Sequence, residues 1–445
     1  MAPKAWADMT PAERRAWRID KWRNPDIEWA SPEAEEEYKA RVDRILAAIN
    51  LEKPDRVPVR LNMGFWPAKS GGLTAYEAMS DAPRAVKAWK DFNLKFQPDA
   101  SVDPLHNTVP GAMFEALGYK LYSWPGHGVS KEASYQYVER EWMVPEDYDE
   151  LIADPANFML RTYLPRTVEG FAGFADFPPL LDFIELPFVF GSVGVWGSDE
   201  MAAGLQRLAE AARVLNEWGK VVFPAMGELM ALGFPPYAGS GTKAPFDILG
   251  DTLRGTKGVI VDMFRYPEKV LAACESLVQT ALDWPLKRGA VSPTIPLVFI
   301  PLHKGADGFM SDEQFHTFYW PTLRKLLLGL IDEGMIPFLF AEGRYNTRLE
   351  AIMDLPKAST VWLFDQSDMA RAKETIGTVA CIQGNMPLSL LHAGTAEQVA
   401  EHTRKLIDIA GKDGGFILDI GAVADEGKDE NLEVMIKTAK EYGIY

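Results

Sequence analysis

Three side chains suited to proton or metal chemistry each follow a short apolar run: His303 after residues 297–301, Glu342 after 336–341 and Asp365 after 360–364. An imidazole exchanges protons near neutral pH and binds metals through either nitrogen. A carboxylate beside it serves as general base or hard ligand. One histidine and two carboxylates brought together suit zinc or another divalent ion with open positions. The bland readings are a loop histidine with a local hydrogen bond, and Glu342 in an ion pair with Arg344 or Arg348. A second group would contact substrate: Asn62, Asp103 and His106 after the first two apolar runs, Arg344 and Tyr345 beyond Glu342, Asn385 in Gly384-Asn385-Met386, and Asp419. Asp419 sits inside an apolar run, where an acid needs a partner, so it either faces the pocket or locks the interior. Phe65, Trp66, Trp124, His127, Trp196 and Tyr237 are candidates for an aromatic lining that excludes water, though loop aromatics more often pack than bind.

These residues meet only if the apolar runs are strands that end at one place. Eight segments read as strands: 57–61, 100–102, 221–225, 297–301, 336–341, 360–364, 379–383 and 415–420. Six are rich in Val, Ile or Phe without polar alternation, as strands covered on both faces should be. Helical patterns alternate with them at 313–332, 348–355, 369–376, 396–410 and 430–442, which implies parallel pairing through right-handed crossovers. Eight units favour a closed (β/α)8 barrel of TIM type, an α/β fold whose strand C-termini converge on one mouth. Residues 1–50 read as an N-terminal helical extension, with Ser31 capping a helix that starts at Pro32. The barrel then occupies 51–445, with an aromatic- and proline-rich insertion at about 119–190 over the mouth. The Gly- and Pro-rich stretch 231–258 reads as an active-site loop.

The 445 residues carry 46 Lys and Arg against 63 Asp and Glu, a net charge of -17. That balance excludes an extended nucleic-acid surface. The two cysteines support no disulfide framework, and no run of 18 apolar residues supports a membrane span. A cytoplasmic, soluble enzyme is expected. Phosphate-loop and His-Glu-x-x-His motifs are missing, as is the Asp-x-His-x-x-Gly signature of a corrinoid-binding domain.

A series of segments carries a resemblance: Lys53-Pro54-Asp55-Arg56-Val57-Pro58, Ala244-Pro245-Phe246-Asp247, Leu253-Arg254-Gly255, residues 308–315, Tyr319-Trp320-Pro321, Gln383-Gly384-Asn385-Met386-Pro387 and Asn431-Leu432. In order and spacing, over roughly residues 45–445, they resemble the uroporphyrinogen decarboxylase superfamily, which includes cobalamin-dependent methyltransferases. The resemblance implies a (β/α)8 barrel with its pocket at the mouth. Two departures matter. Porphyrin decarboxylases carry an Arg-Gln-Ala-Gly-Arg run after the first strand, where this chain has 62–68 without arginine, so the porphyrin reaction is not expected. The methyltransferase branch holds zinc with a His-x-Cys pair and a later Cys. Here those positions fall at Phe340-Ala341-Glu342 and near Ala422, so a thiolate site and a thiol acceptor are not expected.

The leading expectation is a methyltransferase or demethylase. It would move a methyl group from a small, methoxylated aromatic substrate to a corrinoid (cobalamin) carried by a partner protein, with His303, Glu342 and Asp365 as catalytic or metal residues. The alternatives are a decarboxylase or lyase acting on a non-porphyrin acid, and a non-catalytic binding subunit. A homodimer using part of the N-terminal extension is expected by analogy.

Overall fold

The computed structural model describes residues 4–104, 108–288 and 294–445. A three-stranded sheet in the insertion, β1 (Tyr122–Pro125), β2 (Gly128–Val129) and β3 (Gln136–Tyr137), precedes the main sheet. The main sheet has β4 (Ser240–Gly241), β5 (Leu297–Leu302), β6 (Ile336–Ala341), β7 (Val361–Phe364), β8 (Cys381–Gly384) and β9 (Phe416–Ile417), all parallel and in sequence order. All six residues of β6 are buried, as a doubly covered strand demands. Ile336, Phe338 and Phe340 share one face with Tyr237, while Leu339 and Ala341 pack with the outer helices.

Backbone hydrogen bonds carry the sheet around to its own first edge. Arg60 N–H donates to the Leu418 carbonyl at 2.9 Å, Asp99 N–H to Val59 at 2.8 Å, Ser101 N–H to Pro235 at 2.8 Å and Gly239 N–H to Leu297 at 3.0 Å. The predicted segments at 57–61 and 100–102 therefore join the ring through such single bonds and the Val59–Leu418 bridge rather than as regular strands. The architecture is the expected α/β barrel.

Two sequence expectations fail here. Residues 221–225 are not a strand but part of the 33-residue helix Asp199–Ala231, capped by Ser198. A five-residue apolar run has no periodicity that separates a strand from a buried helical turn. The strand belongs instead to Ser240–Gly241, which has no apolar run at all. The stretch 231–258 is likewise no simple loop: it contains β4, the turn Pro245–Asp247, the widened π-type turn Ile248–Leu253 and the start of the Gly255–Arg265 helix. The N-terminal helices Pro11–Arg23 and Pro32–Ile49 close the floor of their own barrel. Trp22, Tyr38, Val42 and Ile45 pack under Leu297, Ile336, Val361 and Ile417, the starts of the strands.

Candidate functional site

β5 ends at Leu302, and the next two residues bring an imidazole and an ammonium to the mouth. Their backbone is held from beneath by Asp247, which is fully buried. Its carboxylate accepts from His303 N–H at 3.2 Å, Lys304 N–H at 2.8 Å and the Tyr319 hydroxyl at 2.6 Å. Asp251 lies four residues on, and on helical backbone that spacing turns both acids to one face. Asp251 accepts from His303 Nδ1 at 2.5 Å and from Lys243 Nζ at 2.7 Å, and Lys304 Nζ stands 3.3 Å away. The other imidazole nitrogen, Nε2, faces Glu342 at 3.3 Å. That contact is long, and the Glu342 side chain is 42% exposed.

The electrostatics follow from these contacts. Burial opposes charge on His303, but the hydrogen bonds to Asp251 and Glu342 and the nearby carboxylates override it and push its pKa up to about 10. Asp251 is driven the other way: burial would raise it, yet the His303 hydrogen bond and the Lys243 charge hold it well below the usual carboxylate range. Asp247 has no cation of its own. Burial, then the charge of Asp251, raises it to about 6. Two carboxylates one helical turn apart thus have opposite characters, as acid–base sites often show.

Of the three residues singled out for catalysis, His303 and Glu342 meet directly. Asp365 follows β7 beside them: it accepts from Gly343 N–H at 3.0 Å, and burial raises its pKa, with Glu342 adding to the rise. Gly343 has φ of 85°, a left-handed conformation that suits glycine and turns the chain sharply after Glu342. Arg348 is no partner for Glu342. It is buried against the Gly305 and Met310 carbonyls and paired with Asp312, and Arg344 is exposed. Tyr345 is a brace, its hydroxyl donating to the Leu302 carbonyl at 3.0 Å. Asn385 donates to the carbonyls of Asp365 and Ser367. Asp419 lies in the barrel interior, gripped by Arg60, Gln383 and the N–H groups of Asn62 and Ile420. Asn62 is buried, and its side-chain nitrogen has no hydrogen-bond partner among the described residues. Asp103 is half-buried, and His106 falls outside the described residues.

Sequence reasoning missed Lys243, Asp247, Asp251, Lys304 and Tyr319. The i, i+4 spacing of Asp247 and Asp251 was the available signal, hidden by reading the segment as a loop. Among the described residues no group of three or more His, Cys, Asp or Glu is arranged to hold a metal ion. The reason is visible at His303: both ring nitrogens face carboxylates, and two ammonium groups already neutralise Asp251, in the place a divalent cation would take.

Over this cluster stands an aromatic wall. Tyr122 from β1 feels the charges of Lys243 and Asp251. It meets Tyr135 and Tyr137 edge-on at 5.9 and 5.4 Å, and Phe65 meets Tyr135 at 6.1 Å. Behind Tyr122 a recess of about 160 Å³ is lined, among the described residues, by Met79, Val109, Phe114, Tyr119, Trp124 and Tyr135, none of them charged. Trp124 stacks on His127, whereas Trp66 and Tyr237 are buried structural rings and Trp196 lies against Phe177.

The family model described as uroporphyrinogen decarboxylase (URO-D) matches residues 214–442. Among solved structures, a methyltransferase from Methanosarcina mazei has the same fold, with a TM-score of 0.56 at 16% identity, over 91% of this chain and 98% of that one. No curated protein matches the chain. Among the described residues, no helix is long and apolar enough to cross a membrane.

Proposed function

The chain belongs to the uroporphyrinogen decarboxylase family, and within it we propose that it is a demethylase, moving the methyl group of a methoxylated aromatic to a corrinoid carried by a separate protein. The cobalt of that corrinoid supplies the nucleophile. The methyl carbon–oxygen bond breaks, the electron pair stays on oxygen, and the residues of this chain deal with the resulting phenolate. His303 is the acid. Its Nε2–H is held only by the long contact to Glu342, so an ether oxygen takes that position and receives the proton. A phenol titrates near 10, as tyrosine does, and the Asp251 hydrogen bond and charge keep the His303 imidazole raised when the ether displaces Glu342. A raised imidazolium hands its proton to a phenolate without a large penalty.

Asp251 holds the imidazole by Nδ1, and Lys243 and Lys304 keep the cluster from accumulating negative charge. A proton from solvent, relayed by the half-exposed Glu342, then returns to His303 Nε2. The aromatic recess accommodates one ring: about 150 Å³ of dry apolar cavity suffices for benzene. We assign no step to a zinc or other divalent ion, since the ammonium groups perform its charge-neutralising role.

The observation that carries this reading is an imidazole fixed by Asp251 at Nδ1, with its Nε2 turned to the half-exposed Glu342. The test is purified protein with cob(I)alamin and a panel of methoxybenzenes and methoxybenzoates. Methylcobalamin absorbance and the matching phenol should appear together, and His303→Gln should lower kcat about 100-fold or more. Folded protein that demethylates nothing in the panel sinks the proposal. Carbon dioxide release from a carboxylic acid without corrinoid would select the decarboxylase reading instead.

A further inference from the structure

The aromatic recess behind Tyr122 has a thin outer wall. Trp124 lines the recess from one side and, from the other, a cleft of about 570 Å³ between the insertion and the long helix Asp199–Ala231. Both hollows share Met79, and Pro83, Pro110, Pro125 and Trp218 continue the apolar lining outward. Trp124 is 3% exposed, yet its indole N–H donates to no described residue. Ring contacts alone hold it: it lies flat on His127 with centroids 4.2 Å apart, and tilts against Phe114 at 5.3 Å. Its edge on the cleft side meets Gly111, where an added Cβ would stand 3.3 Å away. The strand that carries it pairs over only two residues on either side, and so small a sheet opens locally at little cost.

We propose that this cleft is an entry site for uncharged aryl ethers, and that the Trp124 ring is the door between it and the recess. The inference rests on the demethylase reading: a corrinoid protein seated on the barrel mouth covers it while the cobalt attacks, so the ether and the phenol need another way in and out. The cleft suits that traffic. Its volume exceeds the roughly 150 Å³ that one benzene ring needs, and Tyr76 and Trp218 add aromatic surface on which a ring packs. Its lining also selects against acids. Asp81, Glu115 and Glu217 stand there, and the one guanidinium among the described lining residues, Arg213, already pairs with Glu210 at 2.6 Å. A carboxylate would shed water and gain no free cation in return. The hollow on the opposite side of Trp124 is the poorer route, because the flat His127 ring covers the indole there.

A door lowers the barrier in both directions, so closing it slows entry and exit by one factor and leaves affinity alone. Stopped-flow tryptophan fluorescence with methoxybenzene as the probe, on the full chain without cobalamin, reads both rates. Ser80 is exposed on the cleft rim, and Cys274 and Cys381 are buried, so Ser80→Cys treated with N-cyclohexylmaleimide obstructs the cleft alone. Association and dissociation should each fall at least about 5-fold, with Kd unchanged. Gly111→Ala, which crowds Trp124 from the cleft, should slow both rates equally by a smaller factor. With the unmodified protein, 4-methoxybenzoate should associate at least about 5-fold more slowly than methoxybenzene. Rates indifferent to the label and to Gly111→Ala would overturn the door, as would a label that changes Kd through dissociation alone. A benzoate that enters as fast as the neutral ring would overturn the ligand class. Folded protein that binds no methoxybenzene would sink the demethylase reading together with this one, whereas indifferent rates leave that reading intact.

Discussion

Asp99 at the floor of the barrel and Asp251 at its mouth are both carboxylates ringed by cations, yet they are built for different ends. Asp99 is fully buried, and both its oxygens are consumed: Arg44 donates at 2.7 Å, Arg56 at 2.7 and 2.8 Å, and Val59 N–H at 2.7 Å. Burial would raise its pKa, but the charge of Arg56 and then Arg44 hold it down. Guanidinium groups are planar, permanently charged and matched in shape to a carboxylate. Nothing in that cluster can exchange a proton near neutral pH. At the mouth the cations are lysines and a histidine, and the chain of contacts ends on a half-exposed Glu342. The floor cluster spends every valence on itself, whereas the mouth cluster keeps one available.

The largest effect should come from breaking the floor. Asp99→Ala leaves Arg44 and Arg56 facing each other without the carboxylate between them, and the Pro32–Ile49 helix then holds the first barrel segment through the exposed Arg44–Asp55 pair. Removing one partner of a buried ion cluster costs about 3–5 kcal/mol, read as a lowered urea midpoint at constant slope. Asp251→Asn, in contrast, should cost less, because the uncharged amide fits the same space and Lys243 and Lys304 lose a partner at the partly exposed mouth rather than in the core. Equal losses in the two variants would erase the distinction between a structural and a chemical cluster.

Titration sharpens the contrast. The folded pKa of His303, about 10, lies above its ordinary 6.5. Its contribution to stability is therefore complete below pH 6.5 and is lost as the pH rises toward 10. Wild-type Tm should fall across that window more steeply than that of His303→Gln. In Asp251→Asn the imidazole resonance should titrate at least one unit lower than in the wild type, since the hydrogen bond and the charge that raise it are gone. An unchanged midpoint would place the cause elsewhere.

How much of this was legible beforehand depends on where a residue stands. His303, Glu342 and Asp365 each follow an apolar run that ends a regular strand, so an unbroken apolar run and a polar stop were enough to find them. Lys243, Asp247 and Asp251 follow β4, which is Ser240–Gly241, two small residues without an apolar signature. The barrel accepts so weak a strand because its backbone is paired on the β5 side and covered by helices, so tertiary context supplies what local propensity lacks. The error at 221–225 is the same effect reversed: a strand-like run was absorbed by a long capped helix. Tyr319 lies in the segment Tyr319-Trp320-Pro321, but its role depends on Asp247, which no spacing links to it across 72 residues.

The smallest effect tests whether the two acids at the mouth divide their labour. Tyr319→Phe removes one hydroxyl from Asp247 and leaves its two backbone donors in place. The loss of one buried hydrogen bond to a charged acceptor is worth about 1.5–3 kcal/mol of preference for the ionised form, so the Asp247 pKa should climb above its present value near 6. Because a raised carboxyl contributes stability below its unfolded pKa and loses it as pH rises through the folded one, the variant should be least stable relative to wild type above pH 6 and nearly equal to it near pH 4. Asp247 touches the His303 backbone and not its ring, so turnover should fall only a few-fold while the alkaline limb of the pH profile stays in place. A shift of that limb would mean that Asp247 stays protonated into the alkaline range in the variant, so that its charge no longer helps to raise the imidazole.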